Sequence, residues 1–238
     1  DHVPLEGKRI AITAGSRGIR HIDLFLLTVI GYLKQRKADV YIVAAMGSHG
    51  GATEHGQLEV LAGYGITPES MGVPVMASLD TVLLGKTPSG APVYFDAFAA
   101  QCDGIIVMNK IKPHADFKAE YESGLVKMMA IGLGKHRGAS ALHRYGFARF
   151  RELLPQAAKV LLDTAPIMMG LAIVENAYDQ PYIIEGLLPD QIMHRENALL
   201  VEAKRLLARI MVPEIDVLII DSIGKNISGE GMDPNVTG

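Results

Sequence analysis

The chain has 238 residues, of which 49% are hydrophobic and 21% charged. That is enough apolar material for a real core, and it excludes a disordered or low-complexity polypeptide. The 23 basic and 26 acidic side chains leave a formal charge of −3 and a pI near 6.3, without the basic excess of a nucleic-acid-binding protein.

One cysteine, Cys102, excludes an internal disulfide framework and a cysteine-based zinc site. The longest strongly apolar helical run, residues 24–33, is bounded by Asp23 and Lys34 and is short of the ~20 residues a membrane span needs. No signal peptide opens the sequence, so a cytoplasmic location is the expectation.

In chain order, apolar β-type runs alternate with helical periods, which predicts an α/β fold with parallel or mixed sheets flanked by helices. Residues 9–13 read as a buried strand, and 22–35 as a helix with Ile22, Leu26, Val29, Ile30 and Leu33 on one face. A second strand is expected over 40–45. Thr53 is a candidate N-cap for a helix to about residue 62, closed by Gly63 and Gly65. Thr87-Pro88-Ser89-Gly90 suggests a hairpin at the sheet edge. A third buried strand covers 103–109, and a helical stretch follows at 125–131. A helix over 147–162 contains Pro155, which can kink or split it. Strands are expected at 168–174 and 182–187, a long amphipathic helix at 190–211, and a last strand at 217–220 ending in Asp221. The domain reading is 1–190 for an N-terminal α/β catalytic domain. Residues 191–238 read as a hinge helix and the start of a second, incomplete α/β domain, with the active site in the cleft between them.

Ligands of open α/β sheets bind at the carboxyl ends of the strands. Here those ends carry Gly15-Ser16-Arg17-Gly18, Gly47-Ser48-His49-Gly50-Gly51, Asn109-Lys110-Ile111-Lys112-Pro113-His114 and, late in the chain, Asp221 followed by Lys225. Parallel strands would bring Arg17, His49, His114 and Lys225 to one rim, a set suited to acid/base work on a small anion. A lone histidine after a strand is more often a loop residue; two, each beside Gly or Pro, strengthen the functional reading. His2, His21, His55 and His194 have no comparable setting. The Met128-Met129 and Met168-Met169 pairs read as core filling, and Cys102 as a buried, inert thiol.

Residues 12–19 superficially match the cofactor turn of short-chain dehydrogenases. That turn needs glycine where Ala14 and Arg20 stand, and no Tyr here is followed four residues later by Lys. Gly124-Leu125-Val126-Lys127 places a lysine at an apolar, glycine-flanked helix start. Burying it charged is costly, so it either snorkels to solvent or is neutralised by a partner or by modification.

The order and spacing of these residues resemble the nickel-pincer racemases and epimerases typified by lactate racemase. The resemblance implies His49 and His114 as the acid/base pair, Arg17 and Lys225 as substrate-binding cations, and Lys127 as the tether of the cofactor. Ser16 and Gly124 would be further cofactor contacts. His143 would ligate nickel, with His136 as the fallback. It also implies the cofactor itself, nickel held by a pyridinium-3,5-bisthiocarboxylic acid mononucleotide, and inversion of the hydroxyl-bearing carbon of a 2-hydroxy acid. The chain departs from the lactate racemases at Gly15-Ser16-Arg17-Gly18, where they carry a Thr-Arg-Pro type turn. It departs again at Gly50-Gly51, where Arg-Pro follows the first histidine, and in a longer insertion between His114 and Lys127. It therefore reads as a divergent branch.

Two rivals stand beside this reading. One is a zinc hydrolase with His49, His114 and His143 around an open water position; the other is a binding or sensor protein that keeps the cleft without turnover. The expected partners are a small 2-hydroxy acid, cofactor-maturation enzymes and further copies of the chain in a homo-oligomer. Neither nucleic acid nor membrane is expected.

Overall fold

Buried parallel strands are apolar on both faces, and this property organises the molecule. The structure, a computed structural model, describes residues 4–223 and 232–237. Its elements run β1 (Arg9–Ala14), α1 (Ile22–Gln35), β2 (Asp39–Ala44), α2 (Glu54–Ala62), α3 (Pro68–Met71), β3 (Val75–Met76), β4 (Thr81–Lys86) and β5 (Pro92–Asp96). There follow β6 (Gly104–Lys110), α4 (Leu125–Lys127) with a π-helical turn (Met128–Gly132), α5 (Lys135–His143) and α6 (Phe150–Thr164). β7 (Ile167–Glu175), β8 (Pro181–Leu187), α7 (Pro189–Leu206) and α8 (Pro234–Thr237) complete them.

A six-stranded sheet has the order β3-β2-β1-β6-β7-β8, parallel throughout except for antiparallel β8. Along β1, Ile10 and Ile12 face one core while Ala11 faces the other. The first core is covered by α1, whose buried Ile22, Leu26, Ile30 and Leu33 recur at helical spacing, with Leu61 of α2 and Met71 of α3. The second is covered by α4, α5, α6, α7 and the β4-β5 hairpin. Burying each such Ile or Leu stabilises the fold by roughly 1.5–3 kcal/mol.

Thr53 caps α2 as expected, its hydroxyl accepting from Gly56 N at 3.1 Å. α6 continues through Pro155 instead of splitting there, with Leu153, Leu154, Ala157, Ala158 and Leu161 all buried on one side.

Three expectations are corrected. The hairpin flanking Thr87–Gly90 forms its own two-stranded sheet, packed on α5 and α6, and does not extend the edge of the main sheet. The helix from 190 ends at Leu206, not 211. Ile192, Leu199, Leu200 and Ala203 bury it against the second core. Residues 217–220 form no strand: Val217, Leu218 and Ile219 are exposed, and with no neighbouring strand among the described residues there is nothing to satisfy a β ladder. No second sheet domain is formed among the described residues. Nor is any helix among them long and apolar enough to cross a membrane.

Candidate functional site

The sheet order reverses at β1. From β1 the chain crosses to β2 on one side, and β6 lies on the other, so the carboxyl ends of β1 and β6 frame a crevice. Backbone pairing of the two strands stops at Ile12 and Ile106. Beyond it, buried Thr13 spans the widening gap, its hydroxyl donating to Met108 O at 3.2 Å and accepting from Met108 N at 2.9 Å. A cleft of about 250 Å³ opens there, lined by Ser16, Arg17, His49, Lys112, His114, Asp116, Lys127, His143 and Asp233 among others.

His49 follows β2 on a loop whose shape is set by glycine. Gly47, Gly50 and Gly51 all have positive φ, and a Cβ on Gly50 would lie 2.6 Å from Gln57 N. Buried Gln57 fixes the loop from below, donating to Gly47 O at 3.0 Å and His49 O at 3.3 Å. The His49 imidazole is hydrogen-bonded through Nδ1 to the Ser16 hydroxyl. Ser16 is itself held by Tyr64, whose phenol donates to Ser16 O at 2.9 Å.

His114 follows β6 and stacks on Phe117 at 4.5 Å. Buried Glu122 organises its loop, accepting from His114 N at 2.7 Å and Ala119 N at 3.2 Å while pairing with Lys204 of α7 at 2.7 Å. The Asp116 amide donates to His114 Nδ1 at 3.0 Å, so the neutral ring carries its proton on Nε2. Burial, helped by the Lys127 charge and opposed by Asp116, pulls the imidazole down to a pKa of about 4.

Lys127 ends α4, where Gly124 begins the helix. Gly124 is needed because Glu196 of α7 sits against it; a Cβ there would meet Glu196 Oε1 at 2.3 Å. The Glu196 carboxyl accepts from Val126 N at 2.9 Å, capping α4 from another helix. Asn109 Nδ2 donates to Gly124 O at 2.8 Å and ties the same turn to the end of β6. Burial, then the Arg17 and Lys112 charges, lower the Lys127 amine to about 8. Its only described ring contact is Phe117, 5.6 Å away.

His143 ends α5 and stacks on Phe150 at 4.9 Å; burial and Lys127 lower its pKa. α5 is anchored at its start by Lys135. That side chain is wholly buried, pairing with Asp96 at 2.8 Å and donating to Ala44 O at 2.5 Å.

Of the residues expected in the site, Ser16, Arg17, His49, His114, Lys127 and His143 line this one cleft. Gly124 does not line it; it lies beneath, shaping the helix that presents Lys127. His136 is exposed on α5 and absent from the lining. Lys225 lies outside the described residues. Among the described residues no three His, Cys, Asp or Glu side chains are grouped to hold a metal ion, so the three-histidine zinc site has no ligand set. The buried thiol of Cys102 is pushed up to about 11, as an inert cysteine should be.

Sequence reasoning missed Lys112, Glu122, Glu196, Gln57 and Lys135. One signal was present: Glu196 falls on the apolar stripe of Ile192, Leu199, Leu200 and Ala203.

The profile of the lactate racemase N-terminal domain family matches residues 7–152, more than half of the chain. No curated protein sequence matches it. Among solved structures, the lactate racemase apoprotein from Thermoanaerobacterium thermosaccharolyticum is similar in fold, with a TM-score of 0.65 at 18% identity. That match covers 86% of this chain and 51% of the apoprotein, so the chain spans about half the length of the protein it resembles. On the family match, the chain belongs to the lactate racemase N-terminal domain family.

Proposed function

We propose that this chain carries the acid/base and cofactor-tethering part of a racemase or epimerase acting on 2-hydroxy acids. The observation that supports it best is one cleft lined by two imidazoles, after the strands on either side of β1, an amine lowered to about 8, a third imidazole and an arginine. Inversion at a carbinol carbon needs a base and an acid that can exchange roles, and a single histidine cannot serve both stereoisomers equally. His49 and His114 are the two groups for the hydroxyl proton. His114, neutral at working pH with its proton on Nε2, is the resting donor. His49, oriented through Ser16, is its counterpart. Arg17 would hold the substrate carboxylate through its guanidinium fork and so fix which face is presented.

The residues present fit the nickel-pincer mononucleotide. Lys127, with about a tenth of its amine unprotonated at pH 7, would form the covalent tether. His143 would offer nickel its imidazole nitrogen, Ser16 lies within the cleft wall, and Gly124 sets the helix start. Bound there, the group would supply a reversible hydride acceptor, a chemistry that no protein side chain offers. The enzymes that build and load it, and association of the chain with itself, belong to the same proposal.

The test is the mass of the Lys127 peptide after co-expression with cofactor-making enzymes, together with nickel content and inversion of 2-hydroxy acids deuterated at the 2-carbon. The expected result is a shifted peptide, bound nickel, and slowed inversion with the label kept. An unmodified Lys127 peptide and no inversion of any 2-hydroxy acid would overturn the proposal.

A further inference from the structure

Lys112 stands two residues before His114, just past the end of β6, and lines the same cleft as Arg17 and Lys127. Its backbone is fixed: Lys112 N donates to Ser123 O at 2.9 Å, and Ser123 N donates back to Lys112 O at 3.2 Å. The side chain is half-buried, so its ammonium has lost part of its water shell.

Neighbouring lysines are matched with carboxylates. Lys110 is paired with Glu175, and Lys204 with Glu122. Among the described residues, no carboxylate lies within ion-pair distance of Lys112, Arg17 or Lys127. The charges of Asp233 and Asp179 reach Lys112 only at longer range, against the opposing effects of burial, Lys110 and Arg17. Cations that face one partly desolvated space repel each other, and in a folded protein that cost is offset when an anion enters.

We infer that Lys112 is an oxyanion-binding residue of this cleft, gripping a phosphate monoester or a carboxylate of the bound ligand. The inference rests on reading the cleft as a site for anionic ligands, and it does not require racemisation. Arg17 offers a planar fork and Lys112 a compact point charge, so the two can hold different oxyanions.

Calorimetric titration of the full chain, purified without cofactor, tests it. The probes are nicotinic acid mononucleotide, nicotinamide mononucleotide, nicotinic acid riboside and lactate, offered to the unaltered protein, Lys112→Met and Lys112→Arg. Lys112→Met keeps the aliphatic stem; it should weaken at least one oxyanion class about tenfold and flatten the salt dependence of that binding, with Lys112→Arg restoring most of it. Loss confined to the two mononucleotides assigns the phosphate; loss for lactate, the riboside and nicotinic acid mononucleotide, with nicotinamide mononucleotide spared, assigns the carboxylate. Equal affinities in Lys112→Met for every probe, or no binding of any probe by the unaltered chain, would overturn the inference.

Reductive methylation of the unaltered protein gives a measurement free of mutation. The bound probe should slow labelling of Lys112 several-fold and leave surface Lys159 unchanged; equal labelling of Lys112 with and without the probe counts against it. Failure to invert any hydroxy acid would sink the racemase proposal and leave the Lys112 result standing.

Discussion

His114 and Lys127 are both shifted by burial and by nearby positive charge. The imidazole is lowered first by burial and then by Lys127, and the amine is lowered by burial and by Arg17 and Lys112. Followed by NMR, the His114 ring should titrate near pH 4. Lys127→Met should raise that midpoint while leaving it below 6.5, because burial, the larger cause, remains. A ring that titrates at its ordinary value in both proteins would mean His114 is solvated. On the proposed function, His49→Ala and His114→Ala should each reduce turnover by about 10²–10⁴-fold while leaving the proposed Lys127 adduct intact, read by steady-state kinetics and peptide mass. Lys135 belongs to the same scale but not to the chemistry. It is fully buried against Asp96, so Lys135→Ala strands a carboxylate and should cost about 3–5 kcal/mol in denaturant unfolding. Neither Lys135 nor Lys112 was legible as special in the sequence. A lysine beside glycine or proline reads as a solvated loop charge until its neighbours are placed.

Among the elements, α7 is the one whose sequence reading most understated its part. Two of its side chains work beneath the cleft: Glu196 caps α4, and Lys204 neutralises Glu122 under the His114 loop. The Glu196 carboxyl, wholly buried, is raised from 4.5 to about 7. The unfolded chain therefore ionises it first. The stability it contributes is complete below pH 4.5 and is lost as the pH rises through about 7. Urea midpoints across that window should show Glu196→Gln flattening the slope; an unchanged slope would place the titration elsewhere. Gly124→Ala should destabilise by about 1–3 kcal/mol, because the new methyl overlaps the buried Glu196 carboxyl that accepts from Val126 N. The amphipathic period announced α7 and its stripe, yet a glutamate on that stripe reads as a surface charge unless the partner amides are known.

For the whole molecule, the decisive feature is the reversal of strand order at β1, which lets β1 and β6 part and leaves room for a ligand. Thr13 closes the top of that split. Thr13→Val should keep the volume, orphan Met108 N and O, and cost about 1–3 kcal/mol by thermal or denaturant unfolding. Strands β1, β2 and β6 were readable from the residues alone because a strand buried on both faces must be a continuous apolar run. His49 and His114 were readable because such strands end in glycine or proline turns. An apolar run does not by itself say whether a neighbour exists to pair with it, and residues 217–220 are exposed and irregular for that reason. Local pattern determined the elements, their order and the polar turns between them, since propensity and periodicity act over a few residues. Which cations go unmatched, which carboxylates are buried and which glycines lie against another helix were decided by tertiary packing, because charge pairing and steric fit act between segments far apart in the chain.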